Sequence, residues 1–235
     1  MRPIVPIRAA EIPVRDATLV PATLRQLWEE MPVLLAGALL LDVAAGPSLL
    51  IAAISGHVPL ACLVALFTVV PVWASYCYLA GRNAVQCKPY LGDMLGAFLH
   101  YYRRSVLVGL PLAILLPLVL VTIRWLGMGL PLFVTAGIAL QALALLAIGL
   151  LLIHALPLLA GFDLSVREAW LYSLALVLRW PLVGTGLLSM IFLLMLAARA
   201  IGLGAWLVLP LLFVPFQVNA TLMLVQKVKN LEADG

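Results

Sequence analysis

Charge is what this chain has least of. Charged residues occupy 10% of its 235 positions and hydrophobic ones 65%, against about 25% and 45–50% in a soluble domain. No soluble fold of this length hides so much apolar surface, so lipid must be the solvent for most of it. The three cysteines, Cys62, Cys77 and Cys87, are odd in number and lack C-x-x-C or metal-ligand spacing, which excludes a disulfide framework and a cysteine zinc site. P-loop, G-x-S-x-G, H-E-x-x-H and dinucleotide fingerprints are all missing. Neither an enzyme nor a cofactor is expected. The first thirty residues, MRPIVPIRAAEIPVRDATLVPATLRQLWEE, contain no compact apolar h-region, so no cleaved signal peptide is expected.

Long apolar runs are abundant instead. A bilayer core of about 30 Å needs about 20 helical residues, and helices satisfy their own backbone there. Six spans are expected, at about 31–54, 59–80, 105–124, 130–158, 181–199 and 204–225. They form one polytopic domain over 22–225, between a poorly ordered segment 1–21 and a tail 226–235. The fold class is an all-α membrane protein. In the first span Gly46-Pro47 leaves a second option open, a broken or re-entrant helix. With the N-terminus inside, twelve Arg and Lys fall on the cytoplasmic side and only Arg124 and Arg199 outside. That bias puts both termini in the cytoplasm of a bacterial inner membrane. The net charge of +4 therefore points to no nucleic-acid partner.

Two stretches repeat. RRSVLVGLPLAILLPLVLVTIRWLGMG from Arg103 and LRWPLVGTGLLSMIFLLMLAARAIGLG from Leu178 align at an offset of 75, with nine of 27 positions identical. Arg104 meets Arg179, Gly109 meets Gly184 and Arg124 meets Arg199. Each arginine pair is 20 residues apart, about 30 Å of helix, so each brackets one hydrocarbon thickness with ends able to snorkel. An internal duplication is expected. Before each copy lies an amphipathic segment on the cytoplasmic side, about 90–103 and 164–180. In the second, Ser165 and Glu168 form a capping box, and Val166, Ala169/Trp170, Leu174 and Val177 recur at helical spacing. In the first, Leu91, Leu95, Phe98 and Tyr102 make the stripe. Such helices lie in the interface with basic side chains near lipid, so Asp93, Arg103, Arg104, Arg167, Glu168 and Arg179 are the interfacial, partner-facing candidates. A shorter segment, ATLRQLWEE, precedes the first hairpin, giving three parallel units.

Polar groups inside the spans are the candidate site. Asp42 is the sharpest, near mid-membrane if its span is continuous, where a carboxylate costs several kcal/mol unless protonated, paired or hydrated. It is a proton or cation site, a protonated carboxyl bonded to a neighbouring helix, or a carboxyl at headgroup level in a break at Gly46-Pro47. His154, in LLLIHALPLL, is more often a packing residue than a ligand. Gln141, Gln217 and Asn219 are most simply interhelical hydrogen bonds. No two of the three histidines are close in sequence, so a metal site would have to be assembled by the fold.

VVPVWASYCYLAGRNAVQCKPYLGDMLGAFLHYYRRSVLVGLP resembles the YesL-like (DUF624) integral membrane proteins: a span ending in small and aromatic residues, a short basic loop, then an acidic-aromatic helix with a basic pair. HALPLLAGFDLSVREAWLYSLALVLRWPLVGTGLL is similar to that family's second half, and NATLMLVQKVKNLEADG to its tail. The resemblance covers about 25–233 and departs at GALLLDVAAGPSLL. It implies a non-enzymatic accessory or scaffold protein beside a carbohydrate transport or sensing system, with a transporter or sensor subunit as partner. A homo-oligomer is equally open. The residues leave two alternatives: a small transporter with a polar path through Asp42, or a membrane enzyme on a lipid-linked substrate.

Overall fold

The computed structural model describes residues 19–85, 90–124, 131–201 and 203–233. The expected N-terminal segment up to residue 18, Cys87, Lys88 and the glycines Gly127, Gly129 and Gly202 lie outside them. The chain is all-α: α1 (Leu19–Glu29), α2 (Met31–Ser55), α3 (Val58–Ala84), α4 (Leu91–Ile123), α5 (Leu132–Phe162), α6 (Val166–Arg179), α7 (Pro181–Ile201) and α8 (Leu203–Ala233). Six of them, α2, α3, α4, α5, α7 and α8, are long and apolar enough to cross a membrane. This is the expected all-α membrane protein.

Prolines and caps set the breaks. Pro32 sits at the start of α2 and Pro181 opens α7, positions where a missing N–H costs nothing. Trp180, the residue before Pro181, is held out of the helical region at φ −133° and ψ 65°, as a following proline requires. The α2–α3 turn is made by Gly56 at φ 64°, whose N–H caps the Ala52 carbonyl at 3.2 Å. Pro47, by contrast, lies inside an unbroken α2. The first span is therefore continuous, not re-entrant.

One expectation is corrected at α4. An interfacial helix over 90–103 and a separate span from 105 were expected, but α4 is a single helix of 33 residues, about 50 Å long. HYYRRS at the junction offers neither proline nor glycine, so nothing interrupts the backbone ladder. A change from polar to apolar composition does not by itself end a helix.

The capping box at α6 is present: the Ser165 N–H donates to Glu168 at 2.9 Å and the Ser165 hydroxyl accepts from the Glu168 N–H. These bonds hold the Glu168 carboxyl below the ordinary glutamate value. A lowered folded value means the cap is complete above the ordinary glutamate range and is lost as pH falls through the lowered one. The protection of the α6 N-terminal amides, measured against their intrinsic exchange rate at each pH, should fall on acidification in the wild type but not in Glu168→Gln, since glutamine closes the same box without titrating. Equal pH dependence in both would contradict this.

The spans pack as three hairpins, α2–α3, α4–α5 and α7–α8, and the second helix of each is the inner one. The helices α3, α5 and α8 all touch one another, while α2 packs on α3 and α8, α4 on α5 and α3, and α7 on α8 and α5. Each outer helix thus lies against its own inner helix and that of the preceding hairpin, cyclically. Burial follows: 61% of the apolar window of α8 is enclosed but only 17% of that of α7. The short helices obey the same rule, with α6 on α5 and α1 on α8. Gly109 and Gly184, which align in sequence, both face the preceding inner helix; a Cβ there would meet Val70 and Leu66 of α3, or Leu150 and His154 of α5.

Candidate intramembrane polar site

The centre of the bundle is fastened by Gln217, which is fully buried on α8. Its Oε1 accepts from the Trp73 indole N–H of α3 at 3.0 Å, and its Nε2 donates to the Ile153 carbonyl of α5 at 2.7 Å. The second bond has a specific cause. Pro157 lies four residues after Ile153 inside α5, and proline has no N–H to give to the carbonyl four residues back. In lipid such an orphan must find another donor. One amide side chain therefore joins all three inner helices at the place where one of them is left with a free carbonyl.

His154 is next to this junction and fully buried. The Thr221 hydroxyl donates to the Gln217 carbonyl at 2.9 Å, so its single proton is used. The Thr221 oxygen must then accept from His154 Nδ1–H, 3.0 Å away. The network thus assigns the Nδ1–H tautomer, and His154 Nε2 carries a bare lone pair. Nε2 is enclosed and has no partner among the described residues. A Cβ added at Gly184 would lie 3.6 Å from it. The Gly184→Ser variant places a hydroxyl within its reach. It should be about 1 kcal/mol more stable than Gly184→Ala, the worth of one satisfied buried bond. Equal melting temperatures for the two would show that Nε2 is not short of a donor.

The other uncharged candidates also tie helix to helix. Asn219 Nδ2 on α8 donates to Thr23 Oγ1 at 3.0 Å and Gln26 Oε1 at 2.7 Å on α1, and Gln26 Nε2 passes the chain on to the Ala80 carbonyl of α3 at 2.9 Å. The buried side of α1 is thus polar, Thr23 and Gln26, while Val20, Leu24 and Trp28 face outward. Gln141 Oε1 on α5 lies 3.0 Å from the Thr122 hydroxyl of α4. On α6 the buried face is Ala169, Ser173 and Leu176, and the Ser173 hydroxyl donates to the Leu151 carbonyl of α5. The expected stripe through Leu174 is therefore rotated, because that serine bond turns Leu174 outward. Leu174 is exposed.

Asp42 stands apart from these. It is half-buried on the outer helix α2, and its Oδ2 is enclosed without a hydrogen-bond partner among the described residues. Among the described residues no hydrogen bond joins it to the Gln217 junction.

The charged candidates divide in two. Asp93 accepts from the Tyr90 N–H at 3.3 Å and pairs with Arg82 at 3.8 Å. Arg104 donates to Asp163 at 2.7 Å, and His100 Nε2 lies 3.2 Å from the same oxygen. Asp163 ends α5 in the left-handed region at φ 54°, a conformation that aspartate tolerates better than most side chains. It thereby clamps α4 to the α5–α6 turn. Glu168 is used in its cap. Arg103 and Arg167 are exposed and make no ion pair among the described residues, and Arg179 stacks over Trp180 at 5.1 Å. Arg124 caps the far end of α4 and Arg199 lies in the last turn of α7; both are exposed.

Sequence reasoning singled out Gln217 and His154 but missed Trp73, Thr221, Thr23, Gln26 and Ser173. Two signals were present: a proline four residues past Ile153, and a threonine four residues past Gln217 on the same helix face. Among the described residues no three His, Cys, Asp or Glu side chains gather as a metal site. Compared with known proteins, the chain matches no family model, no curated protein and no solved structure.

Proposed function

We propose that this chain is a non-enzymatic accessory or scaffold protein of a bacterial inner membrane, working beside a transporter or sensor in the same bilayer. The observation that carries this is the use made of Gln217, Asn219, Gln141 and His154. Each is bonded to, or within hydrogen-bond distance of, a side chain or carbonyl of another helix, so the groups a polar path would need serve as fasteners. The outer helices meanwhile present apolar faces on which another membrane helix can pack. The resemblance to YesL-like proteins agrees with this function, and the cyclic packing agrees with descent from three copies of one helix-plus-hairpin unit. The gathering of basic residues at one end agrees with cytoplasmic termini.

A second function is favoured by one observation, the enclosed and unpartnered Oδ2 of Asp42: a small carrier that moves protons or cations past that carboxyl. Proteoliposomes holding the purified chain separate the two. An accessory protein alone gives no proton or sodium flux above empty vesicles. A flux that Asp42→Asn abolishes, with the protein still folded, would replace the accessory function by transport.

A further inference from the structure

Bonds place three segments at the same end of the bundle. Gln26 of α1 reaches Ala80 near the end of α3, and Asp163 after α5 holds His100 and Arg104 of α4; α6 follows at once. Each segment turns an apolar face away from the protein. On α1 these are Val20, Leu24 and Trp28; on α4, Leu91, Leu95 and Leu99; on α6, Leu171, Leu174 and Leu178. Inward faces are held by side chains already bonded, Thr23 and Gln26 on α1 and Ser173 on α6, so the outward faces are fixed and cannot fold back on the core.

Cations continue the same stripes. Arg103 follows Leu99 four residues on, and Arg167 precedes Leu171 by four, which places each on the apolar face of its helix. With Arg179 beside Trp180, and Lys227 and Lys229 on α8, they are exposed and make no ion pair among the described residues. The acids at this end are largely occupied: Glu29 with Arg25, Asp93 with Arg82, Asp163 with Arg104, and Glu168 in its cap. The surface is thus apolar with unneutralised positive charge along its edge. Apolar faces alone would suit any lipid. Unpaired guanidinium groups in line with them call for an anion at headgroup depth.

We propose that this end of the bundle is a collar for anionic phospholipid: the outward faces of α1 and α6 sit in one leaflet, with Arg103, Arg167 and Arg179 on phosphate-bearing headgroups. Guanidinium matches phosphate through two parallel N–H bonds, and the Arg179–Trp180 stack holds one fork at the α6–α7 break. The collar is independent of the accessory function, since a carrier or a scaffold could equally carry it.

The test compares nanodiscs of phosphatidylcholine alone with discs containing phosphatidylglycerol. The full chain should melt higher in the phosphatidylglycerol discs, by a margin that shrinks at high salt, and native mass spectrometry should find that lipid retained. In the triple variant R103Q/R167Q/R179Q the margin and the retained lipid should be lost, at about fivefold weaker retention per arginine, with melting in pure phosphatidylcholine unchanged. Equal melting of the wild type in both discs, or an undiminished margin in the folded triple variant, would overturn the proposal. If the triple variant does not assemble, the salt dependence of the wild-type margin decides.

Discussion

Gln217→Leu should lower the stability of the bundle by about 2–4 kcal/mol while barely changing side-chain volume. The substitution leaves two groups without partners, the partly buried Trp73 indole N–H and the buried Ile153 carbonyl, each worth about 1–3 kcal/mol when orphaned. Interhelical bonds in membranes average only about 0.6 kcal/mol, because the separated helices find substitutes. The Ile153 carbonyl is a harder case, since Pro157 has already removed its backbone donor. That gives a second, sharper expectation. In Pro157→Ala the backbone N–H returns, so Gln217→Leu should cost less on that background than on the wild type. Thermal unfolding of the four proteins in one detergent measures the cycle. Purely additive losses would mean that Gln217 does not serve the proline-freed carbonyl.

The second large effect lies at Gly37, where α2 crosses α3. A Cβ there would stand 2.7 Å from Tyr76 Cδ2 and 2.8 Å from Cε2, closer than carbon atoms approach. The ring cannot step aside: Tyr76 is fully buried, and its hydroxyl donates to the Leu34 carbonyl at 2.9 Å. Gly37→Ala should therefore cost about 1–3 kcal/mol through overpacking. Gly46, nine residues on in the same helix, has nothing within 4 Å of its would-be Cβ. Gly46→Ala should be neutral or stabilising by up to about 1 kcal/mol, the helix penalty of glycine. Melting temperatures of the two variants should move in opposite directions, or at least differ by that span. Similar values would mean that α2 and α3 do not pack tightly at Gly37.

Hydropathy is a strong signal over twenty residues, and so the six spans could be read from composition. So could the break before Pro181 and the Ser165–Glu168 cap, both of which rest on local chemistry. The unbroken α4 could not, because no residue at HYYRRS marks either a stop or a continuation. Which helices lie inside was equally hidden. Hydropathy does not rank the spans by burial: α8 and α7 are similarly apolar, yet 61% of one window and 17% of the other is enclosed. Among the polar residues, Gln217 and Asn219 could be foreseen as interhelical bonds. Their partners could not: Trp73 is 144 residues from Gln217, and Thr23 is 196 from Asn219. Asp42 drew attention as the lone carboxyl of a span, yet it sits half-buried on an outer helix. Sequence shows that a carboxyl is in the membrane but not which side of its helix the bundle encloses.

The most direct measurement is extraction from native membranes in polymer discs, followed by intact-mass analysis of the complex. A bundle whose interior polar groups are fasteners and whose outer helices are apolar should come out with a second integral membrane protein at fixed stoichiometry. The chain emerging alone or as a homo-oligomer, and then carrying a cation flux that Asp42→Asn abolishes, would contradict an accessory function and make the protein a carrier in its own right.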